Sequence, residues 1–184
     1  VVVGRVSRLV PEKNPELLVR AAGVLALRRP DLDLDCRVWG EGPERSRLEA
    51  LAVELAAPVR FMGATDDVAL VLAEMDVFAY PTTGESVGFV VLEAMAMGLP
   101  VVSTTVGAVP SFVCQGRTGF LLDAQAGEQD LAGLIEVLAD DGALRSRMGA
   151  AGREVVQRRC AMPRFGQDYA QLYLAVARAY AHPR

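Results

Sequence analysis

Six short runs of β-branched and apolar residues recur along this chain, and they constrain its fold more than any other feature. They are Val1 to Val6, Cys36 to Trp39, Val59 to Met62, Val77 to Tyr80, Val101 to Thr104 and Gly119 to Leu122. Between the first five lie segments whose apolar residues repeat at helical spacing: Pro15 to Leu27, Glu44 to Leu55, Asp67 to Glu74 and Phe89 to Met97. Asn14-Pro15 and Gly42-Pro43 mark helix starts, and Gly98-Leu99-Pro100 marks a stop. Strands alternating with helices imply right-handed βαβ units and a mostly parallel sheet covered on both faces. Beyond Asp130 the strand signal ends, and helices are expected at Asp130 to Ala139, Ala143 to Arg159 and Pro163 to Ala181. With 184 residues, no repeat and no linker, the chain reads as one α/β domain, doubly wound and Rossmann-like, with a helical C-terminal end.

Composition narrows the function classes. Apolar residues make up 52% of the chain, enough for a filled core. No apolar run spans a membrane, since even Val87 to Met97 carries Glu93. Three cysteines far apart, Cys36, Cys114 and Cys160, suit neither a disulfide framework nor a zinc site, and a cytoplasmic setting fits them. A net charge of −4 argues against nucleic acid as a partner, so an anionic ligand needs a local basic cluster. Of nineteen basic residues only Lys13 is a lysine, a hint that a compact ammonium is wanted there. The start "VVVGRVSRLV", without Met or signal peptide, reads as the first strand of a domain cut from a longer protein.

In a doubly wound sheet, ligands sit beyond the carboxyl ends of the strands. That rule gathers "RVSRLVPEKNP", "GEGPE", "GATDD" and "PTTGESVGF" at one edge. In the last of these, Gly84 and Gly88 permit turn dihedrals, and a helix opens near Phe89 with unpaired N–H groups and a positive dipole end suited to phosphate. Glu93 lies about 6 Å along that helix, where a carboxylate can accept from vicinal ribose hydroxyls. Glu85 lies on the other side of the phosphate position, within reach of a sugar hydroxyl. Arg8 and Lys13 flank the turn "LVPE" and supply positive charge for a diphosphate leaving group. "DLDLD", Asp31 to Asp35, has carboxylates suited to a hard cation, but its alternation fits a strand lead-in and no metal is expected. "GEGPER" lacks the third glycine of a dinucleotide fingerprint, and His182 reads as a loose tail.

Taken together, "SRLVPEK", "VWGEGPERSRLEALA", "VRFMGAT", "GESVGFVVLEAMAMGLPVVSTTVGAVP" and "GRTGFLLD" resemble the C-terminal, nucleotide-sugar-binding domain of family 4 retaining glycosyltransferases, which have the GT-B fold. The E-x7-E pair with its flanking "GF" and "EAMA" is the specific part. The resemblance implies that Arg8 and Lys13 hold the diphosphate and that Glu85 contacts the donor sugar. It places Ser86, Val87, Gly88, Phe89 and Val90 against sugar and phosphate, Glu93 on the ribose, and the base near Met62 to Thr65. Two positions depart from the pattern: Ser7 stands where a glycine is usual before the arginine, with Arg5 behind Gly4, and Ser111 stands where glutamate is common. The implied partner is a UDP- or GDP-sugar, with no cofactor. The acceptor-binding N-terminal half is expected outside this chain, any peripheral membrane contact is expected through that half, and the chain alone is expected not to transfer sugar. The C-terminal helix is expected to be mostly packed, but the resemblance implies that part of it crosses to the missing half, which would leave its apolar face exposed in this chain. Two other readings stay open: a non-catalytic nucleotide-binding partner module and a GT-B-type sugar-nucleotide epimerase.

Overall fold

The computed structural model describes residues 1–160 and 162–181. Six parallel strands form one sheet: β1 (Val2–Val6), β2 (Asp35–Trp39), β3 (Val59–Gly63), β4 (Val77–Tyr80), β5 (Val101–Thr104) and β6 (Gly119–Leu122). The helices are α1 (Pro15–Arg28), α2 (Arg45–Glu54), α3 (Val68–Leu72), α4 (Phe89–Ala96), α5 (Glu128–Asp140), α6 (Gly142–Arg159) and α7 (Met162–Ala181). Each expected strand and helix is present, with ends differing by a few residues, the range over which helix and strand ends fray. His182 lies outside the described residues.

Strand order is β3-β2-β1-β4-β5-β6, the doubly wound Rossmann arrangement. Successive units step outward from β1 to β2 and β3, then the chain crosses back to place β4 on the other side of β1. The loops after β1 and β4 therefore leave in opposite directions and open a crevice at the carboxyl edge. Residues of β4 and β5 are buried throughout, as strands covered on both faces must be, which explains their unbroken apolar runs. One core layer joins Leu18, Leu25 and Leu48 to Leu131, Ile135 and Leu138, packing α1, α2 and α5 on one face. The other joins Leu72, Val91 and Met95 to Phe78, packing α3 and α4 on the opposite face.

Helix α6 locks the far end of α4. Arg153 donates to the carbonyls of Ala96 and Met97 at 2.9 and 2.8 Å, satisfying acceptors that a helix end leaves orphaned. Close approach needs Gly149, where an added methyl would sit 1.8 Å from the Gly98 carbonyl oxygen. The described side chains of α7 are exposed, Leu172, Tyr173 and Leu174 among them, so the helix is not mostly packed as expected, while the exposed apolar face expected of it is present. Among the described residues, no helix is long and apolar enough to cross a membrane.

Glycines in two neighbouring helices should answer substitution with opposite signs. Gly149→Ala is expected to destabilise by about 2–3 kcal/mol through overpacking, lowering Tm by about 5–10 °C. Gly133→Ala in α5, with open space around the new methyl, is expected to stabilise by about 0.5–1 kcal/mol. Thermal unfolding of both variants checks this; equal shifts would contradict the α4–α6 packing.

Candidate nucleotide-sugar site

The crevice is built by stapling two loops together. After β1 the chain makes a 3-10 turn at Pro11–Lys13, and Asn14 then takes a left-handed conformation (φ 44°) that turns it into α1. The Glu12 carbonyl, at the crest of that turn, accepts from Thr82 Oγ1 (2.9 Å), Thr83 N (3.1 Å), Thr83 Oγ1 (3.2 Å) and Gly84 N (2.9 Å). Thr104 on β5 donates in turn to the Thr82 carbonyl. A third loop braces the arrangement from beyond β5: Ala108 N donates to Ser86 O at 2.9 Å, and a methyl on Gly107 would meet Glu85 O at 2.2 Å. Only a residue without Cβ can lie so close to that backbone.

Stapling brings Lys13 to Glu85. Lys13 Nζ donates to Glu85 Oε2 at 3.0 Å and to Gly84 O at 2.8 Å, and the two side chains are only 15% and 14% exposed. Tyr80, the last residue of β4, donates its phenol to the same Oε2 at 2.8 Å, and Ser86 N donates to Oε1 at 2.9 Å. Burial alone would raise the Glu85 carboxyl, but the bonds from Tyr80, Lys13 and Ser86 outweigh it and hold the group below the usual carboxylate range. Burial and the neighbouring carboxylate push the Tyr80 phenol upward, with the charges of Arg5 and Arg8 opposing them. Arg8 is 72% exposed and contacts Glu12 at 3.4 Å, an exposed pair worth little by itself.

Helix α4 opens at the same crevice. Gly88 is its N-cap in the left-handed region (φ 78°), and no side chain caps its first turn. The N–H groups of Phe89 and Val90 and the dipole end are therefore presented beside Lys13 and Glu85. Phe89 is exposed, as is Ser86, while Val87 and Val90 are half-buried. Glu93, a turn further along, is exposed and sits at the rim of a cavity of about 260 Å³ lined by Val68, Ala69, Leu72, Ala96 and Met97. The Glu93 side chain makes no hydrogen bond with another described residue.

Other expected residues sit apart from this cluster. Met62 is exposed near the end of β3, and Thr65 shapes the following loop by exchanging hydrogen bonds of 3.1 Å with the Asp67 backbone. Asp31 and Asp35 are engaged separately, Asp31 with Arg29 and Asp35 with Arg37 and Arg60. Tyr80 went unnoticed in the sequence, while Arg5, which stood out there behind Gly4, is buried in β1 and donates to backbone. Tyr80 could have been found as the polar-tipped residue at the carboxyl end of a central strand.

Because Glu85 titrates below its ordinary value when folded, its contribution to stability is complete above the ordinary carboxylate range, about pH 4.3, and disappears as pH falls through the folded value. Glu85→Gln is therefore expected to cost about 1–2 kcal/mol at pH 7 and almost nothing near pH 2. Chemical denaturation at both pH values tests this; a pH-independent difference would contradict the ionic cluster.

Residues 1–141 match the family described as Glycosyl transferases group 1. The chain is 38% identical over 158 residues to the D-inositol 3-phosphate glycosyltransferase of Arthrobacter sp. (strain FB24), an alignment covering 80% of this chain and 36% of that protein. It is 38% identical over 160 residues to the GDP-mannose-dependent monoacylated alpha-(1-6)-phosphatidylinositol monomannoside mannosyltransferase of Corynebacterium glutamicum, covering 82% of this chain and 41% of that protein. The chain thus spans well under half the length of these curated relatives. Among solved structures, Anabaena HepE in complex with UDP and glucose superimposes with a TM-score of 0.83 at 25% identity, covering 95% of this chain and 48% of HepE. The family match runs from β1 to the end of α5 and takes in both loops of the crevice: the chain belongs to the glycosyl transferases group 1 family.

Proposed function

We propose that this chain is the donor-binding domain of a family 4 retaining glycosyltransferase. In this reading the enzyme transfers a hexose from a UDP- or GDP-sugar to an acceptor held by a second, N-terminal domain. The observation that carries the proposal is the meeting of an uncapped helix N-terminus, a lysine ammonium and a tightly held carboxylate in one switch-point crevice. HepE, solved with UDP and glucose, and the GDP-mannose-dependent relative from Corynebacterium support a nucleotide sugar as the ligand.

Each group then has a task. The diphosphate lies at the α4 N-terminus, where the N–H groups of Phe89 and Val90 and the cations Lys13 and Arg8 face it. Glu93, one turn along, accepts from the ribose hydroxyls, and the base lies toward Met62 to Thr65. As the bond between the anomeric carbon and the β-phosphate oxygen breaks, the nucleoside diphosphate leaves with the electron pair. Lys13, Arg8 and the helix end stabilise the charge that gathers on it. Glu85, immobilised by Lys13, Tyr80 and Ser86 N, orients the hexose through its hydroxyls. A second domain closing over the crevice would exclude water.

Calorimetric titration of the chain with UDP, GDP and ADP tests the proposal. Saturable binding of one nucleoside diphosphate is expected, weakened by about tenfold to a hundredfold in Glu93→Ala, the worth of hydrogen bonds to a charged group. In the intact enzyme Lys13→Ala is expected to lower kcat by about 10²- to 10³-fold. Nucleotide binding indifferent to Glu93, or turnover indifferent to Lys13, would overturn the assignment.

A further inference from the structure

We propose that Arg5 is a positioning residue that sets the place of the Lys13 ammonium beside Glu85. Arg5 lies in β1 and is completely buried. It makes no ion pair with a described residue. Its guanidinium instead donates to backbone: Nη2 to Lys13 O at 2.6 Å and Nη1 to Asn14 O at 3.2 Å, with Nη2 also donating to Ser7 Oγ at 2.9 Å. Nε has no hydrogen-bond partner. Its centre lies 5.7 Å from the centroid of the Tyr80 ring, a cation–π contact.

Burying a guanidinium without a carboxylate is expensive, and burial holds this one down to about 10. A methionine would fill much of the same volume without that penalty. The charge is useful because of what the fork holds. Asn14 turns left-handed immediately after Lys13, which aims two consecutive carbonyls inward beneath the turn. Arg5 satisfies both and thereby fixes the backbone of the residue whose ammonium grips Glu85. Its other contact is the ring of Tyr80. Lys13 and Tyr80 are the two donors to Glu85 Oε2, so one buried side chain touches both residues that locate this carboxylate. Lysine could donate to either carbonyl but could not span both with a planar fork.

Two readouts test the assignment, and only the second rests on the donor reading above. First, the Glu85 carboxyl is titrated by 13C NMR in the wild type, Arg5→Met and Arg5→Lys. With Lys13 displaced, the Glu85 midpoint is expected to rise toward the ordinary glutamate value in Arg5→Met and part of the way in Arg5→Lys. An unchanged midpoint in either folded variant would overturn the proposal; should Arg5→Met fail to fold, Arg5→Lys decides. Second, UDP and GDP affinities are compared in a double-mutant cycle. Arg5→Lys is expected to weaken the bound nucleotide by about tenfold in the wild-type background and by little once Lys13 is alanine, since the two act as a unit. Equal losses in both backgrounds would assign Arg5 a merely structural role. A wild type that binds neither nucleotide would defeat the donor reading, while the carboxyl titration would still decide the role of Arg5.

Discussion

The carbonyl oxygen of Glu12 is the point from which the rest of the site follows. At the switch point of a doubly wound sheet the loops after β1 and β4 diverge, and a crevice without cross-links would let them move independently. Thr82, Thr83 and Gly84 all donate to that single oxygen. The contact joins segments about seventy positions apart and seats Lys13 over the Glu85 loop. Threonine hydroxyls reach the oxygen directly, and glycine at 107 allows backbone to lie against backbone.

Charge is distributed around this staple with differing degrees of burial. Arg8 and Glu12 are open to water, and their pairing is that of an exposed ion pair. Lys13 and Glu85 are shielded, so their attraction is stronger and their geometry better defined. Arg5 lies deepest, holding backbone carbonyls in place of a counter-ion. The helix end of α4 adds a fixed partial positive charge from the other side.

Much of this was legible in the sequence for physical reasons. Buried parallel strands must be apolar on both faces, so "VFAY" and "VVST" announce β4 and β5, and the helix punctuation at Asn14-Pro15 and Gly98-Leu99-Pro100 marks real ends. Glu85, Glu93 and Lys13 stood out because a carboxylate in an apolar run, or the only lysine among arginines, is unusual in itself. What could not be read was contact at long range. Nothing local says that Lys13 reaches Glu85 across the crevice, or that the Tyr80 phenol joins them, because both depend on how β1 and β4 pair. Arg5 was visible behind Gly4, but its burial and its hold on the Lys13 and Asn14 carbonyls were not, because they depend on β1 lying at the centre of the sheet.

In the proposed reading, a nucleoside diphosphate occupies the switch-point crevice at the start of α4. Backbone amide chemical-shift mapping of the 15N-labelled chain during saturation with UDP or GDP tests it most directly. The predicted result is a set of perturbed amides over residues 8–10, 12–14, 85–90 and 93, with the largest shifts at Phe89 and Val90. Perturbations centred instead on the far end of the sheet, near Gly98 and α6, or no saturable perturbation with either nucleotide, would contradict it.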